Sequence, residues 1–137
     1  MTDVTQSAVE VTQAFLAAIF SGAMETAMAM TSPDAVFVST NPHSNPGNPM
    51  HGTFTGHDGA AAFFAGFAEV LEPGDFEVIA AFGDESHAAL YGKLRHTVRA
   101  TGRPFVSDWA LIARIKNGQI ALYHFYEDTE ALTEAMR

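Results

Sequence analysis

The chain has 137 residues, of which 47% are hydrophobic, 17% are charged and none is cysteine. This length predicts a single domain over residues 1–137, and the net charge of −9 argues against nucleic acid or an anionic membrane as a partner, since both favour clustered basic residues. Disulfides and thiolate sites are excluded, and the lack of a basic leader or a long apolar run predicts a cytoplasmic protein.

The spacing of apolar residues predicts two helices near the start of the chain. The first has an apolar stripe that ends at Ser21 and Gly22 and consists of Val4, Ala8, Val11, Phe15, Ala18 and Ile19. The second is predicted over Met24–Met30 and ends before Pro33, because the residue that precedes a proline avoids helical backbone. A Val-Phe-Val centre then predicts a strand over Ala35–Ser39.

The segment Asn41–Thr55 has no periodicity and is rich in proline, glycine and polar residues. A connection of this length is usually functional or disordered, so a lid over a ligand and an ordinary surface loop are both open. His43 and His51 lie in this loop, and His57 follows at the start of the next helix. Three imidazoles spread in this way match no compact metal-binding pattern, and we expect neither a metal nor another cofactor.

A helix from about His57 and a four-stranded sheet are predicted after the loop. The helix ends at Pro73 and Gly74 and has an aromatic stripe, namely Phe63, Phe64, Phe67, Val70 and Leu71. Strands are predicted over Phe76–Phe82, Ala88–Ala100, Phe105–Ile115 and Gln119–Tyr126. The short connections, including an Asn117–Gly118 hairpin, predict an antiparallel meander, followed by a short helix over Glu127–Met136. Helices followed by an antiparallel sheet indicate the α+β class.

The predicted strand Ala88–Ala100 contains the residues that most clearly suggest chemistry. In an extended backbone Leu94, His96 and Val98 share one face, and Arg95 and Arg99 share the other. His96 is therefore a titratable ring among apolar neighbours, and near neutral pH it could act as a general acid or base. The alternative is a core histidine that is satisfied by a backbone carbonyl or by a tyrosine.

Three acidic residues in the second half of the chain are considered as site residues, and structural interpretations are available for them. Asp108 is expected to face away from any pocket and either to be solvated or to pair with Arg95 or Arg99 across the sheet. Glu127 and Asp128 could lie at a pocket rim, but an acid at the start of a helix has the simpler role of a cap, which we assign to Asp128.

Several motifs resemble those of a known family. They are the run Met50-His51-Gly52-Thr53-Phe54-Thr55-Gly56 before a Phe-Phe helix, the hairpin with Trp109, Arg114 and Asn117-Gly118-Gln119-Ile120, and the run Tyr126-Glu127-Asp128-Thr129. In this order the chain resembles the SnoaL-like, ketosteroid-isomerase-like group of the nuclear transport factor 2-like superfamily. The resemblance implies a cone-shaped α+β barrel, in which a curved sheet encloses N-terminal helices and an apolar pocket. It also implies a homodimer that forms through the sheet face.

The resemblance also marks positions where relatives carry catalytic groups. The tyrosine and the two acids of steroid-isomerising relatives correspond to Phe15, Ser39 and Leu111, none of which supplies the same chemistry. The acid of epoxide-hydrolysing relatives corresponds to Phe125. Whether the protein is an isomerase or lyase, a non-catalytic binding module or a dimeric interaction domain therefore stays open.

The implied pocket would have an apolar and aromatic wall. His96 is the candidate catalytic residue, and the expected ligand contacts are Phe15, Ser39, His43, Phe63, Leu94, Trp109, Leu111, Tyr123 and Phe125. Tyr123, Trp109 and Ser39 are the candidate orienting groups, unless the aromatic side chains fill the cone completely. We predict a protein that binds a small, largely apolar metabolite and isomerises, dehydrates or cyclises it without a cofactor.

Overall fold

The computed structural model describes residues 7–137 and has an α+β fold. The predicted elements occur in the predicted order, and a short strand over Thr53–Thr55 is added where the loop was predicted to continue. The elements are α1 (Ala8–Phe20), α2 (Met24–Ala29), β1 (Thr31–Ser39), β2 (Thr53–Thr55), α3 (Gly56–Val70), β3 (Leu71–Gly83), β4 (His87–Val98), β5 (Pro104–Lys116), β6 (Gln119–Glu127) and α4 (Thr129–Ala135). The predicted fold class is confirmed. Val4, the first member of the predicted α1 stripe, lies outside the described residues.

The strands form one mixed sheet in the order β2-β1-β6-β5-β4-β3. Strands β3 to β6 make the predicted antiparallel meander. β1 extends it through parallel pairing with β6, and β2 pairs antiparallel with β1. In the described part of the chain β2 and β3 are the edges, so the sheet is open rather than a closed barrel.

Helices α1 and α3 pack on one face of the sheet, which we call the inner face. Helix α1 begins with a capping box, in which Ser7 Oγ accepts the N–H of Glu10 at 3.2 Å and the Glu10 carboxylate accepts the N–H of Ser7 at 3.0 Å. The side chains between the helices and the sheet include an aromatic cluster with ring centroids 5.0–6.2 Å apart, formed by Phe15, Phe37, Phe63, Phe64 and Tyr123. This cluster occupies part of the space between α1, α3 and the sheet.

Two strands begin earlier than predicted. Each contains a proline, Pro33 in β1 and Pro73 in β3, which lies at a shift in the pairing register. β1 begins at Thr31 rather than Ala35, and its pairing with β6 shifts between Thr31 and Val36. β3 begins at Leu71, and its pairing with β4 shifts between Glu72 and Asp75. Such bulges accommodate a residue that cannot donate to the ladder.

The connection from residue 41 to residue 52 is hydrogen-bonded at both ends. The N–H of Gly52 donates to the carbonyl of Asn41 at 3.0 Å, and the hydroxyl of Thr53 donates to the carbonyl of Pro42 at 2.8 Å. Met50 is 2% exposed and packs into the core. The segment is therefore an anchored loop. None of the helices within residues 7–137 is long and apolar enough to cross a membrane.

Candidate functional site

A cavity of about 520 Å³ lies between helices α1 and α3 and the inner face of the sheet. Pockets for small molecules typically measure about 300–1,000 Å³ and have mostly apolar walls. The polar side chains in this wall belong to His96, Tyr123 and Glu127. The apolar wall includes Leu16, Ile19, Phe20, Phe63, Phe64, Phe67, Leu71, Phe76, Leu94 and Phe125. No lysine or arginine of residues 7–137 lines the cavity.

The structure brings some of the predicted site residues together and leaves others apart. The predicted residues that line the cavity are His96, Phe63, Leu94, Tyr123 and Phe125. The predicted residues that do not line it are Phe15, Ser39, Trp109, Leu111 and His43. Strand alternation had assigned Trp109 and Leu111 to the correct face, but the cavity does not extend over the whole of that face.

Each of the residues outside the cavity has a structural reason for its position. Phe15 and Leu111 are fully buried in the packed core. Trp109 stacks against Phe76 with 4.5 Å between ring centroids, and its indole N–H donates to a main-chain carbonyl. Ser39 is buried at the end of β1, whereas His43 is exposed in the anchored loop. Neither Trp109 nor Ser39 lines this cavity.

The geometry around His96 defines its tautomer. His96 Nδ1 accepts the N–H of Gly74 at 2.9 Å, so Nδ1 carries no proton and the neutral ring has its proton on Nε2. Burial lowers the pKa of His96, while the carbonyl of Arg95 and the carboxylate of Asp75 act in the opposite direction. The ring is therefore neutral near pH 7. Within residues 7–137 the ring makes no hydrogen bond to Tyr123, and the side-chain hydrogen bond that it makes is the one from the Gly74 N–H.

Glu127 is a cavity residue that the sequence interpretation treated as a helix-start acid. Burial raises the pKa of its carboxyl to about 7. Its Oε1 atom is buried and has no hydrogen-bond partner among the described residues. The predicted strand ended at Tyr126, one residue short. Had the alternation of Tyr123 and Phe125 been continued by one step, it would have placed Glu127 on the inner face.

Tyr123 completes the polar part of the wall. Burial raises the pKa of its hydroxyl well above the usual value, and the nearby charge of Glu127 adds to this effect. The phenol therefore stays protonated. With Glu127 also protonated, the hydroxyl, the carboxyl and the imidazole Nε2–H of His96 are all hydrogen-bond donors, and a cavity with donors and no cation suits an uncharged ligand with acceptor oxygens.

Two other acids and one imidazole from the sequence analysis make side-chain hydrogen bonds outside the cavity. Asp108 faces outward as predicted, but it pairs with Lys93 Nζ at 2.8 Å because these residues are directly opposite each other on β4 and β5. Asp128 caps α4 by accepting the N–H of Ala131 at 3.0 Å, as predicted. His51 bonds to the side chain of Asn48. In the described chain no three metal-binding side chains converge.

The α+β fold of this chain is shared by NTF2-like proteins of known structure. Residues 12–123 match the family model for the SnoaL-like domain. The chain belongs to this family. The predicted resemblance is confirmed.

Solved structures of similar proteins share this fold. An NTF2-like protein from Burkholderia xenovorans LB400 superposes with a TM-score of 0.84 and 22% identity, covering 98% of this chain and 100% of that one. An NTF2-like protein from Burkholderia thailandensis E264 superposes with a TM-score of 0.82 and 21% identity, covering 96% of this chain and 98% of that one. TerC, co-crystallised with polyporic acid, superposes with a TM-score of 0.80 and 20% identity, covering 93% of this chain and 96% of that one. At these identities the likeness is one of fold.

One curated relative is similar in sequence. Patulin biosynthesis cluster protein F from Penicillium expansum is 34% identical over 85 residues, which cover 59% of this chain and 42% of the relative. The match therefore spans less than half the length of that relative.

Proposed function

We propose that the protein binds a small, largely apolar metabolite in the cavity and isomerises, dehydrates or cyclises it by acid–base catalysis without a cofactor. The observation that carries this proposal is Glu127, a partly buried residue whose Oε1 atom has no hydrogen-bond partner in the described part of the chain and whose pKa is raised to about 7. A group with this pKa both accepts and returns protons at neutral pH. The names of two similar proteins, which refer to a biosynthesis cluster and to polyporic acid, support a metabolite as the ligand.

The proposed chemistry begins with a substrate that carries a carbonyl group. Ionised Glu127 takes a proton from the carbon next to the carbonyl, and the electron pair moves onto the carbonyl oxygen. His96 Nε2–H and the hydroxyl of Tyr123 stabilise this oxygen by hydrogen bonds. Where a carbon–carbon double bond extends the enolate to a dienolate, Glu127 then returns the proton to another carbon. Alternatively, the enolate carbon attacks a second carbonyl and closes a ring, and Glu127 returns the proton to the alkoxide that forms. His96 stays the candidate catalytic residue, with Nε2–H as its working atom.

The proposal is tested by proton exchange in D₂O. A panel of uncharged aromatic ketones and quinones is screened for compounds that raise the Tm of the protein, since a ligand of the folded state stabilises it. NMR then follows the exchange of substrate C–H for deuterium. We expect Glu127→Gln to slow this exchange by about 10²-fold or more while binding persists. Asp108→Asn, the same type of change on the outer face, is the matched control and leaves exchange unchanged.

Two variants of His96 separate donation by Nε2 from general structural support. Gln places an amide N–H near the position of Nε2, whereas Asn keeps an acceptor for Gly74 near Nδ1 and removes the Nε2 donor. We expect His96→Gln to retain more exchange than His96→Asn. Exchange that persists in Glu127→Gln would contradict the catalytic proposal. Binding without exchange in the wild-type protein would leave a non-catalytic binding module.

We also propose that the protein forms a homodimer through the outer face of the sheet. Large apolar side chains are exposed there, including Tyr91 and Val106, which are 46% and 54% exposed. A shallow groove of about 440 Å³ runs across this face and is lined in part by Ile79, Tyr91 and Tyr126. Burying such side chains is favourable, so a second copy is the proposed occupant.

A further inference from the structure

Thr40 has a backbone conformation that its residue type avoids. It follows the last residue of β1 and has a φ of +56°. The only other described non-glycine residue with a positive φ is Asn117, which lies in the Asn-Gly hairpin turn where this conformation is common. A β-branched residue in the left-handed region is crowded by its own Cβ, so its surroundings must hold it there.

Three hydrogen bonds connect Thr40 to one short stretch of β6. Its N–H donates to the carbonyl of Phe125 at 2.6 Å. Its carbonyl accepts from His124 Nε2 at 3.1 Å, and its Oγ1 accepts the N–H of Glu127 at 3.2 Å. Every polar group of Thr40 thus has a partner on β6, at the point where the pairing of β1 with β6 ends.

His124 is itself held in the matching tautomer. Because a carbonyl only accepts, His124 Nε2 carries the proton and Nδ1 accepts from the hydroxyl of Tyr126 at 3.0 Å. The two rings also stack, with 4.0 Å between their centroids. The orientation of the ring is therefore fixed from the outer face of the sheet, and the ring in turn holds the carbonyl of Thr40.

We propose that Thr40 is a positioning residue for Glu127: its left-handed backbone aims Oγ1 at the Glu127 N–H and thereby keeps the Glu127 carboxyl inside the cavity. Glycine would adopt this φ freely, but it offers no acceptor to that N–H. The hydrogen bond from the Glu127 N–H to Thr40 Oγ1 therefore explains why a threonine occupies this strained position. This inference rests on the proposed role of Glu127 as the proton carrier.

The substitutions of Thr40 leave the identity of the other titratable groups around Glu127 unchanged. Tyr123 and His96 line the same cavity. Glu127 also borders the groove on the outer face, where Lys93 and Asp108 pair with each other. A change in the Glu127 titration on substitution of Thr40 therefore reports a change in the hydration of the carboxyl itself.

The test is an NMR titration of the Glu127 carboxyl in the protein without ligand, with the signal assigned by its loss in Glu127→Gln. Thr40→Val keeps the shape and removes the acceptor, Thr40→Gly removes the acceptor and the crowding, and Thr40→Ser keeps the acceptor. We expect the pKa of Glu127 to fall by about one pH unit or more in the Val and Gly variants and to stay at the wild-type value in the Ser variant.

The result that would overturn the inference is a wild-type titration in Thr40→Gly and Thr40→Val, or a shift in Thr40→Ser as large as theirs. Thr40→Gly tests the inference even if Thr40→Val fails to fold, because glycine relieves the crowding of the backbone. Failure of the proposed function would appear separately, as substrate exchange that survives Glu127→Gln. The titration needs no substrate, so the two outcomes are distinguishable.

Discussion

Glu127 is a residue whose benefit to the site conflicts with its effect on stability. A carboxyl in an aromatic cavity resists ionisation, and this resistance raises its pKa to about 7 from an ordinary value of 4.5. Between these two pH values the folded state binds more protons than the unfolded state. The free energy of unfolding therefore falls as pH rises through this window, by about 3 kcal/mol in total.

This linkage predicts a pH-dependent effect of Glu127→Gln, which cannot ionise. Relative to the wild type, the variant should gain stability from pH 4.5 to pH 8, by up to about 3 kcal/mol. Urea denaturation at several pH values measures the difference. The lowered pKa of His96 destabilises both proteins below pH 6.5 and cancels in the comparison. Parallel stability curves for the two proteins would show that Glu127 titrates normally.

At the scale of elements, the bulge in β3 fixes the tautomer of His96. The sequence interpretation ended a helix at Pro73 and Gly74, because both residues usually end helices. In the structure they lie inside β3, where the N–H of Gly74 reaches His96 Nδ1. A Cβ atom on Gly74 would lie 2.1 Å from the carbonyl oxygen of Arg95. This close approach is a tertiary contact that no local pattern contains.

The bulge gives a prediction for Gly74→Ala. The added Cβ forces β3 away from β4, so we expect a loss of about 1–3 kcal/mol of stability. With the Nδ1 hydrogen bond loosened and the ring more hydrated, the pKa of His96 should rise. Denaturation and an NMR titration of the His96 ring measure the two effects. Gly66→Ala is the control, since a Cβ there meets nothing within 4 Å and helix propensity favours alanine. An unchanged His96 titration in Gly74→Ala would refute the argument.

Strand alternation predicted the inner face well and the extent of the cavity poorly. A period of two is local, so Leu94, His96 and Tyr123 were assigned to the correct side. Whether an inward side chain meets empty space depends on what the helices place against it. Leu111 faces a filled core. The extent of the cavity depends on packing between segments that are distant in the sequence, and no local sequence pattern contains that information.

At the scale of the whole molecule, the two faces of the sheet have opposite tasks. The inner face encloses the cavity, while the outer face exposes apolar side chains around the Lys93–Asp108 ion pair. Ile112 and Val106 on β5 and Tyr91 on the adjacent β4 contribute to this surface. The high hydrophobic fraction of the chain, noted from its composition, is thus partly accounted for by a surface that the described chain does not cover.

The proposed homodimer predicts the effect of a charge on this face. Lysine at Tyr91 or at Ile112 would be buried near its symmetry mate in a two-fold dimer, so like charges would oppose association. We expect wild-type protein to sediment as a dimer of 14.7 kDa chains and Tyr91→Lys and Ile112→Lys to sediment as monomers. Ala62→Lys adds the same charge at an exposed position of α3 and should stay dimeric. A monomeric wild type, or lysine variants that remain dimeric, would mean that another surface or another partner covers these side chains.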